Sequence, residues 1–296
     1  MHTSPKKFKF SKINIEISNI CNLQCTFCPE VIREKKLMSL DLFKKVIQQV
    51  APLTEQVCLH LMGEPLLHPK FFEIIQACEA EKTQIFLVTN GLLLKEKHFS
   101  ELIKPVFRQI NFSTHSFFNN FPEKNPDEYL NQIFKFTEMA FKENPNLYIN
   151  YRLWNLTNPL GEVSAENKTI LKKITDRFQV DLPTLINVKK TKSIRVLNRL
   201  YLHFDTEFIW PNLNLPIIGE SGTCYGLSSH FGILADGTVV PCCLDKEGKI
   251  PLGNLNDNDL NSILNSETAQ NILKNFKKNK LINPLCQRCQ YIERFK

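Results

Sequence analysis

Three cysteines fall within eight residues in the run Cys21-Asn22-Leu23-Gln24-Cys25-Thr26-Phe27-Cys28, a C-x-x-x-C-x-x-C spacing. Three thiolates do not close a four-coordinate metal site. Structural zinc takes four protein ligands, whereas an iron-sulfur cluster held at three corners keeps one iron open, and that corner can bind a substrate or cofactor directly. A second set lies near the C-terminal end: Cys224, the neighbours Cys242 and Cys243, and the C-x-x-C pair Cys286 and Cys289. Four thiolates from this set suit either an iron-sulfur cluster or a structural zinc site. Adjacent thiols seldom both ligate one small site, so Cys242 is expected as the ligand and Cys243 as packing, with the reverse assignment open. Cys58 and Cys78 stand alone and read as small core residues. Ten cysteines grouped in this way along 296 residues suit metal or redox work rather than a disulfide framework.

Such thiols need rigid elements around them. From residue 12 onward, short apolar runs alternate with amphipathic runs, which predicts repeated β-α units and a parallel sheet. Ile13, Ile15 and Ile17 alternate with polar neighbours as a first strand, and Ser39 is placed to cap a helix carrying Leu42, Val46, Ile47 and Val50. Further strands are expected over 57–62, 84–88, 109–113, 147–153 and 207–210, with helices over 69–80, 95–103, 127–142 and 162–178. Six parallel strands with outer helices make an α/β fold, a partial (β/α)6 TIM-like barrel, in which site residues collect at the carboxyl ends of the strands. Residues 179–223 read as a linker that includes the last barrel strand. Asp236-Gly237 between apolar runs signals a hairpin, and a helix over 257–276 follows it. The expected organisation is an N-terminal extension at 1–11, the barrel at 12–215, and a small cysteine-rich α+β auxiliary domain with a β-hairpin at 216–296.

With 43% apolar residues the chain can bury a large core. No run of about 18 apolar residues predicts a membrane span and no secretory signal opens the chain, so a cytoplasmic location without membrane contact is expected. The net charge of +7 comes from scattered lysine pairs such as Lys35-Lys36 and Lys277-Lys278, without the aromatic platforms of a single-strand binder, so no nucleic acid partner is expected. Neither a Walker A sequence nor a G-x-S-x-G elbow occurs.

The triplet, with Phe27 before Cys28 and Pro29 after it, resembles the signature of the radical S-adenosylmethionine (SAM) superfamily. Met62-Gly63-Glu64-Pro65 resembles that family's GGEP turn, with Met62 at the first glycine, and Thr89-Asn90-Gly91 resembles its TNG turn. Cys224, Gly237 and Cys242 are spaced like the opening of the SPASM and twitch auxiliary domains, and the shorter twitch type with one extra cluster fits the cysteine count. The resemblance implies a 4Fe-4S cluster on Cys21, Cys25 and Cys28 that binds SAM, and a second 4Fe-4S cluster on Cys224, Cys242, Cys286 and Cys289. It implies SAM contacts from Phe27, Gly63, Glu64, Pro65, Thr89, Asn90, Ser113 and Arg152, with Glu64 at the SAM amino group and Arg152 at its carboxylate.

The activity so implied is reductive cleavage of SAM to a 5'-deoxyadenosyl radical, hydrogen abstraction from a substrate, and oxidation of that substrate with help from the auxiliary cluster. The implied partners are a small-molecule or peptide substrate and an external one-electron donor such as flavodoxin or ferredoxin. With twenty residues ahead of Cys21, no peptide-recognition domain is expected in front of the barrel. The alternatives are a peptide or RNA-modifying enzyme of the same family and, from a different class, a non-catalytic iron-sulfur or zinc protein that carries electrons or regulates. Gly63-Glu64-Pro65 argues against the last, because an electron carrier has no use for a SAM site.

Overall fold

The computed structural model describes residues 9–295, with the side chains of residues 294 and 295 left out of the description. In chain order the elements are β1 (Ile13–Ile15), α1 (Leu40–Val50), β2 (Gln56–Cys58), α2 (Phe71–Ala80), β3 (Gln84–Thr89), α3 (Phe99–Leu102), β4 (Phe107–Phe112), α4 (Ser116–Asn120), α5 (Asp127–Glu143) and β5 (Tyr148–Leu156). There follow β6 (Leu160–Glu162), α6 (Ala165–Phe178), β7 (Leu185–Asn187), β8 (Ser193–Leu197), β9 (Leu200–Thr206), β10 (Gly232–Ile233), β11 (Thr238–Val240), β12 (Gly253–Asn254), α7 (Leu260–Leu264) and α8 (Glu267–Lys277). The main sheet has ten strands in the order β12-β11-β10-β1-β2-β3-β4-β5-β9-β8.

β1 to β5 and then β9 pair in parallel, giving the six strands of a partial (β/α)6 barrel that stays open, with β8 and β12 at its edges. The hairpin of β10 and β11 forms as expected, and β10 lies parallel to β1 with Asn14 opposite Gly232. The cysteine-rich segment thus extends the barrel sheet, with strand hydrogen bonding carried across from one to the other. The helices cover the outer face through apolar stripes. α1 buries Phe43, Val46, Ile47 and Val50, and Ser39 caps it by accepting from the Leu42 amide at 3.2 Å, a contact worth about 1 kcal/mol.

Several expected elements differ. The sixth barrel strand is β9, not 207–210, which is irregular. Leu200, Leu202 and Phe204 bury on alternate positions of β9, and Asn198, at φ +47°, turns the chain so that β8 pairs back on it. Residues 179–223 are therefore no plain linker. The helix expected over 162–178 begins at Ala165, because Glu162 pairs with Leu185 in a separate two-stranded sheet and Ser164 caps the helix at the Asn167 amide. The single helix expected over 257–276 is two: α7 ends at Leu264, and the Ser266 side chain accepts from the Ala269 amide to start α8. A serine hydroxyl competes with the helical ladder and favours a new cap. The helices expected over 69–80 and 95–103 likewise begin late, each preceded by a single 3-10 turn. Of the N-terminal extension expected at 1–11, residues 1–8 lie outside the described residues. Phe10 belongs to the core, packing edge-on against Phe231 at 4.9 Å.

Candidate active site

The cysteine loop follows β1 and takes its shape from the ends of other strands. Asn119 and Asn120 close α4, beyond β4; Asn119 Oδ1 accepts from the Thr26 amide at 2.8 Å and Asn120 Oδ1 from the Gln24 amide at 2.9 Å. Asn120 Nδ2 also donates to Cys25 Sγ at 3.1 Å, and Asn90 Nδ2 faces Cys21 Sγ at 3.9 Å and donates to Asn22 Oδ1 at 2.8 Å. Phe27 packs on the His115 ring at 4.7 Å, and His115 Nδ1 sits 2.9 Å from the Arg152 carbonyl. The loop is therefore carried by β3, β4 and α4. Asn119 and Asn120 were not singled out from sequence; two asparagines shortly after a strand end are the only signal they leave.

The turn after β2 is bound to the same place. Gly63 has φ +77°, and a Cβ there would stand 2.4 Å from the Ser18 carbonyl oxygen and 2.8 Å from that of Ile20. Only glycine lets the turn approach the strand that feeds the cysteine loop. Glu64 is 1% exposed; its Oε1 accepts from the Leu66 amide at 3.0 Å and Thr89 Oγ1 at 2.7 Å, and its Oε2 from the Asn90 amide at 2.7 Å. Burial pushes this carboxyl up to about 7 against the pull of those donors. Glu64 thus positions Thr89 and Asn90. Ser113, after β4, is tied through its amide to the Thr89 carbonyl at 2.9 Å. Phe27, Gly63, Glu64, Pro65, Thr89, Asn90 and Ser113 therefore lie on neighbouring turns around the triplet. The Arg152 guanidinium lies 4.2 Å over the Trp154 ring, on the wall of the barrel cavity.

A carboxylate missed in the sequence joins the two halves. Glu16, fully buried at the end of β1, pairs with Arg33 Nη2 at 2.5 and 2.6 Å and accepts from the Met62 amide at 3.2 Å and the Ala235 amide at 3.1 Å. Arg33 Nε donates to the Lys246 carbonyl at 2.6 Å, and Glu247 accepts from the Ile32 and Arg33 amides, both at 3.1 Å. One buried charge thereby links the cysteine loop, the Gly-Glu-Pro turn and the hairpin. Its sequence signal is a lone acid among the isoleucines of a core strand.

Cys224, Cys242, Cys243, Cys286 and Cys289 all line a cavity of about 460 Å³ whose other wall is the barrel interior, including Cys58, His60, Phe86 and Arg152. Cys224 Sγ and Cys242 Cβ both lie 3.7 Å from where a Cβ on Gly226 would stand, so the two residues are adjacent. Cys243 packs instead against Leu61, Leu234 and Val240. Cys58 is 3% exposed and Cys78 is fully buried, as expected of core thiols. A cleft of about 360 Å³ lies between Phe27 and residues 207–212, and Phe208 and Trp210 line both spaces. Among the described residues no three His, Cys, Asp or Glu side chains converge as around one metal ion. Burial raises every thiol of both sets, Cys28 to about 11 and Cys286 to about 12, so loading with iron must displace protons. The donor sets fit iron-sulfur clusters.

An open parallel barrel, a three-thiol loop against glycine-rich strand ends and a thiol-lined hairpin domain define a radical SAM protein with an auxiliary iron-sulfur domain. The chain belongs to the radical SAM superfamily, whose model matches residues 15–155, and carries an iron-sulfur cluster-binding domain of the SPASM type at 224–290. Its cofactors are accordingly a 4Fe-4S cluster, SAM and auxiliary iron-sulfur. It is similar to GTP 3',8-cyclase of Synechocystis sp., 26% identical over 271 residues and 81% of each chain. Among solved structures it is similar to Streptococcus suis SuiB bound to S-adenosylmethionine, at TM-score 0.61 and 17% identity over 96% of this chain and 74% of that one. It is also similar to BtrN in complex with AdoMet and 2-DOIA, at TM-score 0.59 and 16% identity over 95% and 93%. SuiB has also been solved bound to the precursor peptide SuiA. These structures share the fold. No helix among the described residues is long and apolar enough to cross a membrane.

Proposed function

We propose that this radical SAM enzyme is an oxidoreductase acting on a small organic substrate seated between the barrel and the auxiliary thiols. The observation that carries this reading is the cavity itself, since one space is lined by barrel-strand side chains and by Cys224, Cys242, Cys286 and Cys289. Cys21, Cys25 and Cys28 hold the SAM-binding cluster, and Phe27, Gly63, Glu64, Pro65, Thr89, Asn90 and Ser113 form the SAM pocket. Cys224, Cys242, Cys286 and Cys289 hold the auxiliary cluster, with Cys243, on the same cavity wall, packed against Leu61, Leu234 and Val240. When bound, these groups supply a carbon radical that takes a hydrogen atom from the substrate and an acceptor for the electron left behind.

The chain's own residues orient and enclose. Glu64 and Asn90 fix the turns beside the triplet, Asn120 directs an N–H at Cys25, and Phe208 and Trp210 form the wall between the two spaces. An external carrier such as flavodoxin or ferredoxin supplies the starting electron. The proposed units are residues 12–215 and 216–296, although β10 pairs them through one sheet. Anaerobic reconstitution with iron and sulfide tests the reading. The reduced protein should form 5'-deoxyadenosine from SAM, Cys25→Ala should abolish this, and Cys289→Ala should abolish oxidised product. A reconstituted wild-type protein that never cleaves SAM overturns the enzyme reading, and product formed by Cys289→Ala overturns the acceptor role alone.

A further inference from the structure

The cavity between barrel and auxiliary thiols holds two cations that no carboxylate pairs. Lys12, just ahead of β1, lies over the Phe86 ring with Nζ 4.7 Å from its centroid, and the Arg152 guanidinium carbon is 5.9 Å from the same centroid and 4.2 Å from that of Trp154. Among the described residues neither side chain forms an ion pair or hydrogen bond. The two acids on the cavity wall are engaged elsewhere. Asp205 Oδ2 accepts from Lys192 at 3.0 Å, and Asp245 accepts from the Lys249 and Ile250 amides at 2.7 and 2.8 Å. His60 stands on the same wall with Nδ1 enclosed and unpartnered, and both cations act on it as neighbouring positive charges.

A desolvated cation is costly unless an anion or an equivalent field meets it, and aromatic faces return only part of that cost. Burial has already drawn Arg152 down to about 10. The Arg152 guanidinium, 4.2 Å over the Trp154 ring, makes no hydrogen bond to a protein side chain, and carboxylate and phosphate are the groups that match a guanidinium bidentately. No acid on this wall is left over to receive a cationic substrate. We infer that the cavity binds its substrate through an anionic group, a carboxylate or a phosphate ester, held by Lys12 and Arg152 beside His60. This names the substrate class for the oxidoreductase proposed above and rests on that reading. It also assigns Arg152 to substrate in place of the SAM carboxylate.

The test is binding to the reconstituted two-cluster protein with SAM present and no reductant, so that it reads independently of SAM cleavage. Ribose 5-phosphate, gluconate and uncharged ribose are titrated by calorimetry. The expected result is at least tenfold tighter binding of one charged probe than of ribose, the phosphate and carboxylate arms telling the two apart. Arg152→Gln and Lys12→Met should each weaken that probe at least tenfold, and Arg152→Lys should recover part of the loss, with cluster absorbance reporting that each variant is folded. Equal or absent binding of all three probes overturns the inference. So does an auxiliary-cluster potential that shifts in Arg152→Gln while the charged probe binds as in wild type, since the cations would then serve the cluster.

Discussion

Glu64 shows how a single side chain can be legible in identity and not in its protein contacts. Gly63-Glu64-Pro65 stands out in the sequence, and its acid was expected at a bound amine; in the fold both of its oxygens face protein donors at 2.7 to 3.0 Å. Sequence spacing reveals which turn carries a charge but not that the neighbouring strand end also donates to it. Glu64→Gln replaces one acceptor oxygen by an NH2 that meets an N–H or O–H donor, so it loses at least one charge-assisted bond and leaves a donor unpaired. The cost should be about 2–3 kcal/mol of stability, with weaker SAM binding because Asn90 is released. Chemical denaturation and SAM titration of the same variant check both. Unchanged SAM affinity in a destabilised variant would separate Glu64 from the pocket. Gly63→Ala should be worse still, because its Cβ meets the backbone of residue 18, and soluble protein with native cluster content would contradict that geometry.

Between elements, the triplet loop depends on groups that no periodicity reveals. The parallel strands β1 to β5, the outer helices and the hairpin at Asp236-Gly237 were legible because burial imposes a repeat of two or of 3.6 on the residues. β9 was missed because the turn at Asn198 carries no glycine, and the split between α7 and α8 because it rests on one capping hydroxyl. The asparagine contacts to Gln24, Thr26 and Cys25 were illegible for a different reason: they join residues more than ninety positions apart. They bear on redox tuning. An N–H aimed at a cluster sulfur favours the more negative, reduced state, so Asn120→Ala should lower the midpoint potential of the SAM-binding cluster by on the order of 20–60 mV. An anaerobic redox titration followed by electron paramagnetic resonance measures it, and an unmoved or raised midpoint counts against the contact. The Glu16–Arg33 link makes the complementary case for stability. Arg33→Ala leaves a buried carboxylate whose remaining partners are two amides, and should cost about 3–5 kcal/mol. The double variant Glu16→Gln/Arg33→Ala should recover part of this, as urea unfolding midpoints would reveal.

At the scale of the whole molecule, buried titratable groups of opposite sign set how stability follows pH. Burial lowers His60 to about 3 and His115 and His230 to about 4, so below the unfolded value of 6.5 the unfolded chain binds protons that the folded one refuses. That stability is present above 6.5 and is lost as pH falls. Burial raises Glu16 and Glu64 from 4.5 to about 7, in Glu16 over the opposing pull of Arg33. Their contribution has the other sign, complete below 4.5 and lost as pH rises through 7. Between 4.5 and 6.5 the three histidines outweigh the two carboxyls, and His68, His98 and His203 are lowered as well, so stability should climb with pH. His60 isolates one part of this sum. In His60→Gln that proton is gone, so the stability gap between wild type and variant should be constant above pH 7 and shrink by about 1.4 kcal/mol for each unit below 6.5. Urea midpoints of the cluster-loaded proteins, taken anaerobically from pH 5.5 to 7.5, measure the gap under matched cluster content. Parallel curves would mean that His60 keeps its ordinary affinity for protons in the fold, and that its enclosed Nδ1 is reached by water.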